Sequence, residues 1–166
     1  MGRRIVLSLT TAGLMGLCAS SAARADEVLK FRLIMHAVAA QTQEVGDVDG
    51  HAMTLVRYSA LASFADGSVG TANLTAIADY IKGSGTYTGY YNVTLKDGSA
   101  ISYKATNVPA RLEGTVTIFP EAPVTVLRGT GRFDGAKGDG TLSGARLTPL
   151  AAGAEVYLDA TLNVKK

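Results

Sequence analysis

The chain predicts an all-β fold, a closed antiparallel barrel of eight or nine strands. Three observations predict it. Apolar and polar residues alternate with period two along most of residues 28–164. Asp-Gly and Gly-x-Gly steps interrupt that alternation at spacings of about 10–16 residues, the rhythm of strand and turn. No segment holds an apolar stripe at helical spacing. Strands joined by short turns pair as hairpins, and a sheet of this many strands protects its edges by closing or by folding into two layers. A closed barrel encloses room for one small ligand; a two-layer sandwich, the alternative, leaves no large cavity.

The elements follow in order. Val28 to Ala40 alternates, with Leu29, Phe31, Leu33, Met35 and Ala37 on one face and Lys30, Arg32, Ile34 and His36 on the other. Residues 41–50 (QTQEVGDVDG) are polar and acidic, a loop fit to form a mouth or lid. Ala52 to Ala65 is closed by Asp66-Gly67, Val69 to Ile81 by Gly83-Ser84-Gly85, and Thr86 to Leu95 by Asp97-Gly98. Ile101 to Val108 stops at Pro109 and Arg111 to Phe119 at Pro120, because proline cannot donate to a ladder. Val124 to Arg128 enters a glycine-rich corner, Thr141 to Thr148 leaves it, and Val156 to Val164 ends the chain. Counting every proline as a stop gives nine strands.

Residues 1–25 read as a secretory leader. Arg3 and Arg4 form a basic head, residues 5–17 an uncharged apolar run, and Ala23-Arg24-Ala25 a cleavage site. The run is shorter than the roughly 20 residues that cross a bilayer, so no membrane span is expected. The expectation is export, with a periplasmic or extracellular domain of residues 26–166. The leader holds Arg3, Arg4 and Arg24 and no acid. The domain then carries 13 of the 16 basic residues against 14 acidic ones, a net charge of −1. That balance gives no basic surface for nucleic acid. The single cysteine, Cys18, lies in the leader. The domain therefore has no thiol for a disulfide, a thiolate metal site or nucleophilic catalysis.

Motifs for catalysis are sparse. Residues 129–140 (GTGRFDGAKGDG) lack the spacing of a dinucleotide or phosphate loop, since Asp134 stands where G-x-G-x-x-G needs glycine. They read as a turn with Phe133 plugging one barrel end. Asp47, Asp49 and His51 offer too few oxygen ligands for a calcium loop, and no metal or other cofactor is expected. With two histidines and no G-x-S-x-G elbow, a hydrolase triad has little to build on. Candidate cavity groups are His36 and Arg57, ionisable residues in otherwise uncharged strand segments, together with Tyr87, Tyr91 and Tyr103. Tyrosine supplies an apolar wall with a polar handle. Ordinary strand propensity explains tyrosines as well, and an outward-facing position explains the two ionisable groups.

Residues 130–138 (TGRFDGAKG), with Gly85-Thr86-Tyr87-Thr88-Gly89-Tyr90 and Asp97-Gly98-Ser99, resemble the allene oxide cyclase barrel and dirigent-like proteins, in particular exported bacterial members. The resemblance covers the second half of the chain. It implies an eight-stranded, calycin-like antiparallel barrel with a hydrophobic cavity, and a tendency to form homodimers or homotrimers. It carries over no catalytic residue: where plant cyclases place a first-strand glutamate, this chain has His36. Two functions are consistent with it. One is binding of a small hydrophobic or amphipathic molecule. The other is a cofactor-free isomerase or cyclase, or a dirigent-like activity, on such a molecule held in the barrel. Lipocalin and avidin carriers show a characteristic tryptophan that this chain lacks.

Overall fold

The structure, a computed structural model, describes residues 26–165; the leader lies outside the described residues. The strands are β1 (Glu27–Glu44), β2 (His51–Phe64), β3 (Val69–Ile81), β4 (Ser84–Thr94), β5 (Ala100–Glu113), β6 (Val116–Thr130), β7 (Lys137–Arg146) and β8 (Val156–Lys165). Each pairs antiparallel with its sequence neighbour, and β1 pairs with β8, so the barrel closes in simple up-and-down order. There are eight strands, not nine. Pro109 lies inside β5, and Pro120 and Pro123 lie inside β6. The ladder steps aside to admit them. The β5–β6 register breaks off between Ala105↔Val124 and Arg111↔Ile118, and the β6–β7 register shifts between Phe119 and Ala122. Proline needs no ladder partner at such irregularities. The true hairpin turn is Gly114-Thr115, with Gly114 at φ 62°.

The first hairpin is also longer than the alternation suggests. β1 runs on to Glu44, and a bulge between Ala37 and Ala39 lets it keep pairing with β2 as far as Glu44↔Ala52. The acidic loop shrinks to residues 45–50. Asp47 and His51 hold it, with Nδ1 to Oδ1 at 2.5 Å, while Nε2 of His51 reaches Asp79 on β3 at 2.7 Å.

Inward residues of all eight strands form one core, in which Leu33, Val93, Ile101 and Leu162 are fully buried. The connections β2–β3, β4–β5 and β6–β7 gather at one end of the barrel. There a 3-10 turn (Gly131–Phe133) places Phe133, fully buried, in the core. Gly131 sits at φ 62° against Ser99, whose hydroxyl accepts the Arg132 N–H at 3.0 Å. A Cβ at Gly131 would stand 2.6 Å from that oxygen. The corner is thus shaped by close packing and a left-handed backbone. At the other end, a second 3-10 turn (Leu150–Ala152) joins β7 to β8, and the Ala37 N–H donates to the Gly153 carbonyl at 2.9 Å. Outside, Ile34 and Leu61 are cross-strand neighbours, each 56 % exposed. Among the described residues no helix is long and apolar enough to cross a membrane.

Candidate functional site

The barrel is filled at the glycine end and open at the other. The rings of Phe31, Phe64, Tyr91 and Tyr103 occupy the filled half. Tyr91 and Tyr103 stack with centroids 4.5 Å apart and planes 3° apart, and Phe31 lies edge-on to Tyr103 at 6.2 Å. Above this layer is a cavity of about 60 Å³ open to the centre of a water molecule. That exceeds the roughly 10–15 Å³ a single water needs.

Each strand contributes to the wall in phase with its alternation. β1 supplies Met35, β2 supplies Thr54, Val56 and Tyr58, and β3 supplies Leu74, Ala76, Ala78 and Tyr80. Tyr87, Phe119, Arg146, Leu150, Val156 and Leu158 complete the lining. The space exists because β3 presents only alanine at 76 and 78. Thr54, Tyr80, Arg146 and Leu150 are only half-buried, which marks them as the rim. Tyr87 and Phe119 meet edge to face at 5.2 Å and form part of the floor.

The polar groups of the cavity are few and are mostly donors. Arg146, at the end of β7, donates from Nη2 to the Thr117 hydroxyl at 2.9 Å. Among the described residues no carboxylate lies within 4 Å of its guanidinium. Burial pushes the Tyr58 and Tyr80 phenols above their ordinary range, and the nearby Arg146 charge partly offsets this. Burial likewise raises Tyr87, with the Tyr91 hydrogen bond opposing it. These hydroxyls are therefore neutral donors across the physiological range. Tyr87 and Tyr91 hydroxyls bond at 3.0 Å. The lining holds no Asp, Glu, His or Cys. The site can solvate an apolar body and offer hydrogen bonds to oxygen; its own side chains supply no carboxylate or imidazole base.

The five sequence candidates separate. Tyr87 lines the cavity. Tyr91 and Tyr103 point inward but lie beneath the floor, fully or almost fully buried, and the Tyr103 hydroxyl has no hydrogen-bond partner. His36 and Arg57 are corrected: both are exposed on the outer wall. The phase of their strands dictates this. Leu33 and Met35 face in, so His36 faces out; Val56 and Tyr58 face in, so Arg57 faces out. Arg146 is not singled out by the sequence motifs, although the same rule points to it. Leu142 is inward, and Arg146 lies four residues on, in phase with it. The acidic loop gathers Asp47, His51 and Asp79 outside the cavity, and no group of three or more metal-ligating side chains is found among the described residues.

No protein-family model matches the sequence, and no curated protein matches it. Solved structures do. The pterocarpan synthase dirigent protein GePTS1 superposes with a TM-score of 0.54 at 14% identity, over 97% of this chain and 96% of that one. A pyocyanin demethylase aligns at a TM-score of 0.47 and 16% identity, over 82% of this chain and 99% of that one. At 14% identity the likeness to GePTS1 is one of fold, and it is a likeness to a dirigent-type barrel across nearly the whole chain.

Proposed function

We propose that this protein is an exported binding barrel for a small hydrophobic or amphipathic molecule, held in the cavity between Tyr87 and Arg146. The observation that carries the proposal is the cavity itself. It sits in one half of a barrel whose other half is packed solid, and it is bounded by apolar walls and a few convergent donors. Pre-formed apolar space with sparse polar groups is what small-molecule sites have in common. Native mass spectrometry of the protein purified from its own host tests this. A copurified small molecule that is absent from an Ala78→Leu variant is the expected result. Bare protein in both, with no small apolar compound raising the melting temperature of the unsubstituted chain, overturns it.

The second reading is a cofactor-free isomerase or cyclase. Its support is that Tyr58, Tyr80 and Arg146 present neutral and cationic donors to one region, an arrangement able to stabilise an oxygen as it gains negative charge. Conversion of the copurified molecule by fresh protein, lost on Tyr80→Phe, distinguishes catalysis from binding.

A further inference from the structure

Among the described residues Arg146 has no carboxylate partner. It stands on the inner face of β7, half-buried at the rim, and its only hydrogen bond among the described residues goes to the Thr117 hydroxyl on β6. A guanidinium carries five N–H donors in a planar fork. One bond to a hydroxyl leaves most of that fork unused. Among the described residues no carboxylate lies within 4 Å of it. β8 presents Val156; across the lumen, β2 presents Tyr58 and β3 Tyr80, the titratable groups that feel its charge. Both phenols are neutral hydroxyls that can donate but carry no charge to offset the guanidinium, and no hydrogen bond within the described residues occupies either hydroxyl. A half-buried cation among donors lowers its free energy by taking an acceptor that bears negative charge.

We propose that Arg146 binds the carboxylate of a small apolar acid, with Tyr58 and Tyr80 as further donors. The apolar body of that acid then lies inward against Leu74, Tyr87 and Leu158. This deepens the binding function proposed above and rests on it. It also fixes direction: acid at the rim, hydrocarbon toward the Tyr87–Phe119 floor. A reversed ligand would bury its charge against Leu74 and Leu158 and leave Arg146 unpaired, so one orientation prevails.

Matched probe pairs on two skeletons test it: 2-naphthoate against 2-naphthylmethanol, and octanoate against octanol, titrated calorimetrically at low ionic strength. The carboxylate of at least one skeleton is expected to bind about 10- to 100-fold more tightly than its alcohol, the worth of a charged hydrogen-bonded contact. Arg146→Met is expected to erase that preference while the alcohol still binds. Equal affinity of acid and alcohol in the unsubstituted protein overturns the carboxylate assignment and leaves the pocket standing. No binding by any probe overturns the pocket and this inference together. Should Arg146→Met fail to fold, the unsubstituted protein still decides. Acidification below the naphthoate pKa is expected to abolish the preference for naphthoate, while naphthalene-2-sulfonate, which stays charged, keeps its affinity. Parallel loss of both, or of neither, contradicts the proposal.

Discussion

At the scale of single residues, the tyrosines divide by what their hydroxyls touch. Tyr103 is fully buried and its hydroxyl has no partner. An unpaired buried hydroxyl costs about 1–3 kcal/mol. Tyr103→Phe removes that atom and keeps the stack on Tyr91, so its melting temperature is expected to equal or exceed that of the unsubstituted protein. A fall in melting temperature would show that the hydroxyl is satisfied. Tyr91→Phe differs, because it deprives the Tyr87 hydroxyl of its partner at 3.0 Å. Residue roles were the least legible part of the sequence. His36 and Arg57 stand out in the sequence because they are ionisable within apolar stretches, yet the alternation of their strands assigns them to the outer wall. Arg146 was hidden in a short strand beside glycines, where alternation is hard to see because glycine marks neither face.

At the scale of elements, β7 is the most constrained strand. Its inward positions 138, 140 and 144 are glycine, and a Cβ on Gly144 would lie 2.1 Å from the Tyr157 carbonyl oxygen of β8. That contact is backbone and cannot rotate away. Gly144→Ala is expected to destabilise the barrel by about 1–3 kcal/mol, as overpacking does, read as a lowered denaturation midpoint. Strand identity was legible from alternation, and the glycine corner from its composition. Strand boundaries at proline were not. A proline stops a regular ladder, but the sequence does not announce the bulges that excuse Pro109, Pro120 and Pro123. His51 ties the acidic loop 45–50 to β3 through Asp47 and Asp79, a clasp whose strength is expected to depend on pH. Hydrogen bonds donated to Asp79 and Asp47 raise the His51 pKa above its ordinary 6.5, and the contact with His51 lowers Asp47 below 3.8. The His51 contribution is therefore complete below pH 6.5 and fades as pH rises through the raised pKa. The Asp47 contribution is complete above pH 3.8 and fades as pH falls through the lowered pKa. Amide exchange in this loop, normalised for intrinsic rate, is expected to be slowest between those limits and to lose its alkaline limb in His51→Ala. An unchanged profile in that variant would contradict the clasp.

At the scale of the whole molecule, closure and filling are separate properties. Closure comes from nine β1–β8 register pairs, Glu27↔Val164 to Met35↔Val156, with Arg32 and Asp159 joined by two bonds of 2.7 Å on the outer wall. That exposed ion pair adds little beside the ladder. Filling is uneven: large rings at the glycine end, alanines and a void at the other. Closure was legible from strand number and short turns. The void was not, because it depends on which rings reach the axis at each level. The central claim is that this void is a binding site, and the most direct test is calorimetric titration of 2-naphthoate and octanoate into the unsubstituted protein and into Ala78→Leu. Saturable one-to-one binding of at least one acid by the former and none by the latter, with Ala78→Leu melting no lower, is the predicted result. Equal binding by both proteins, or binding by neither, would contradict it.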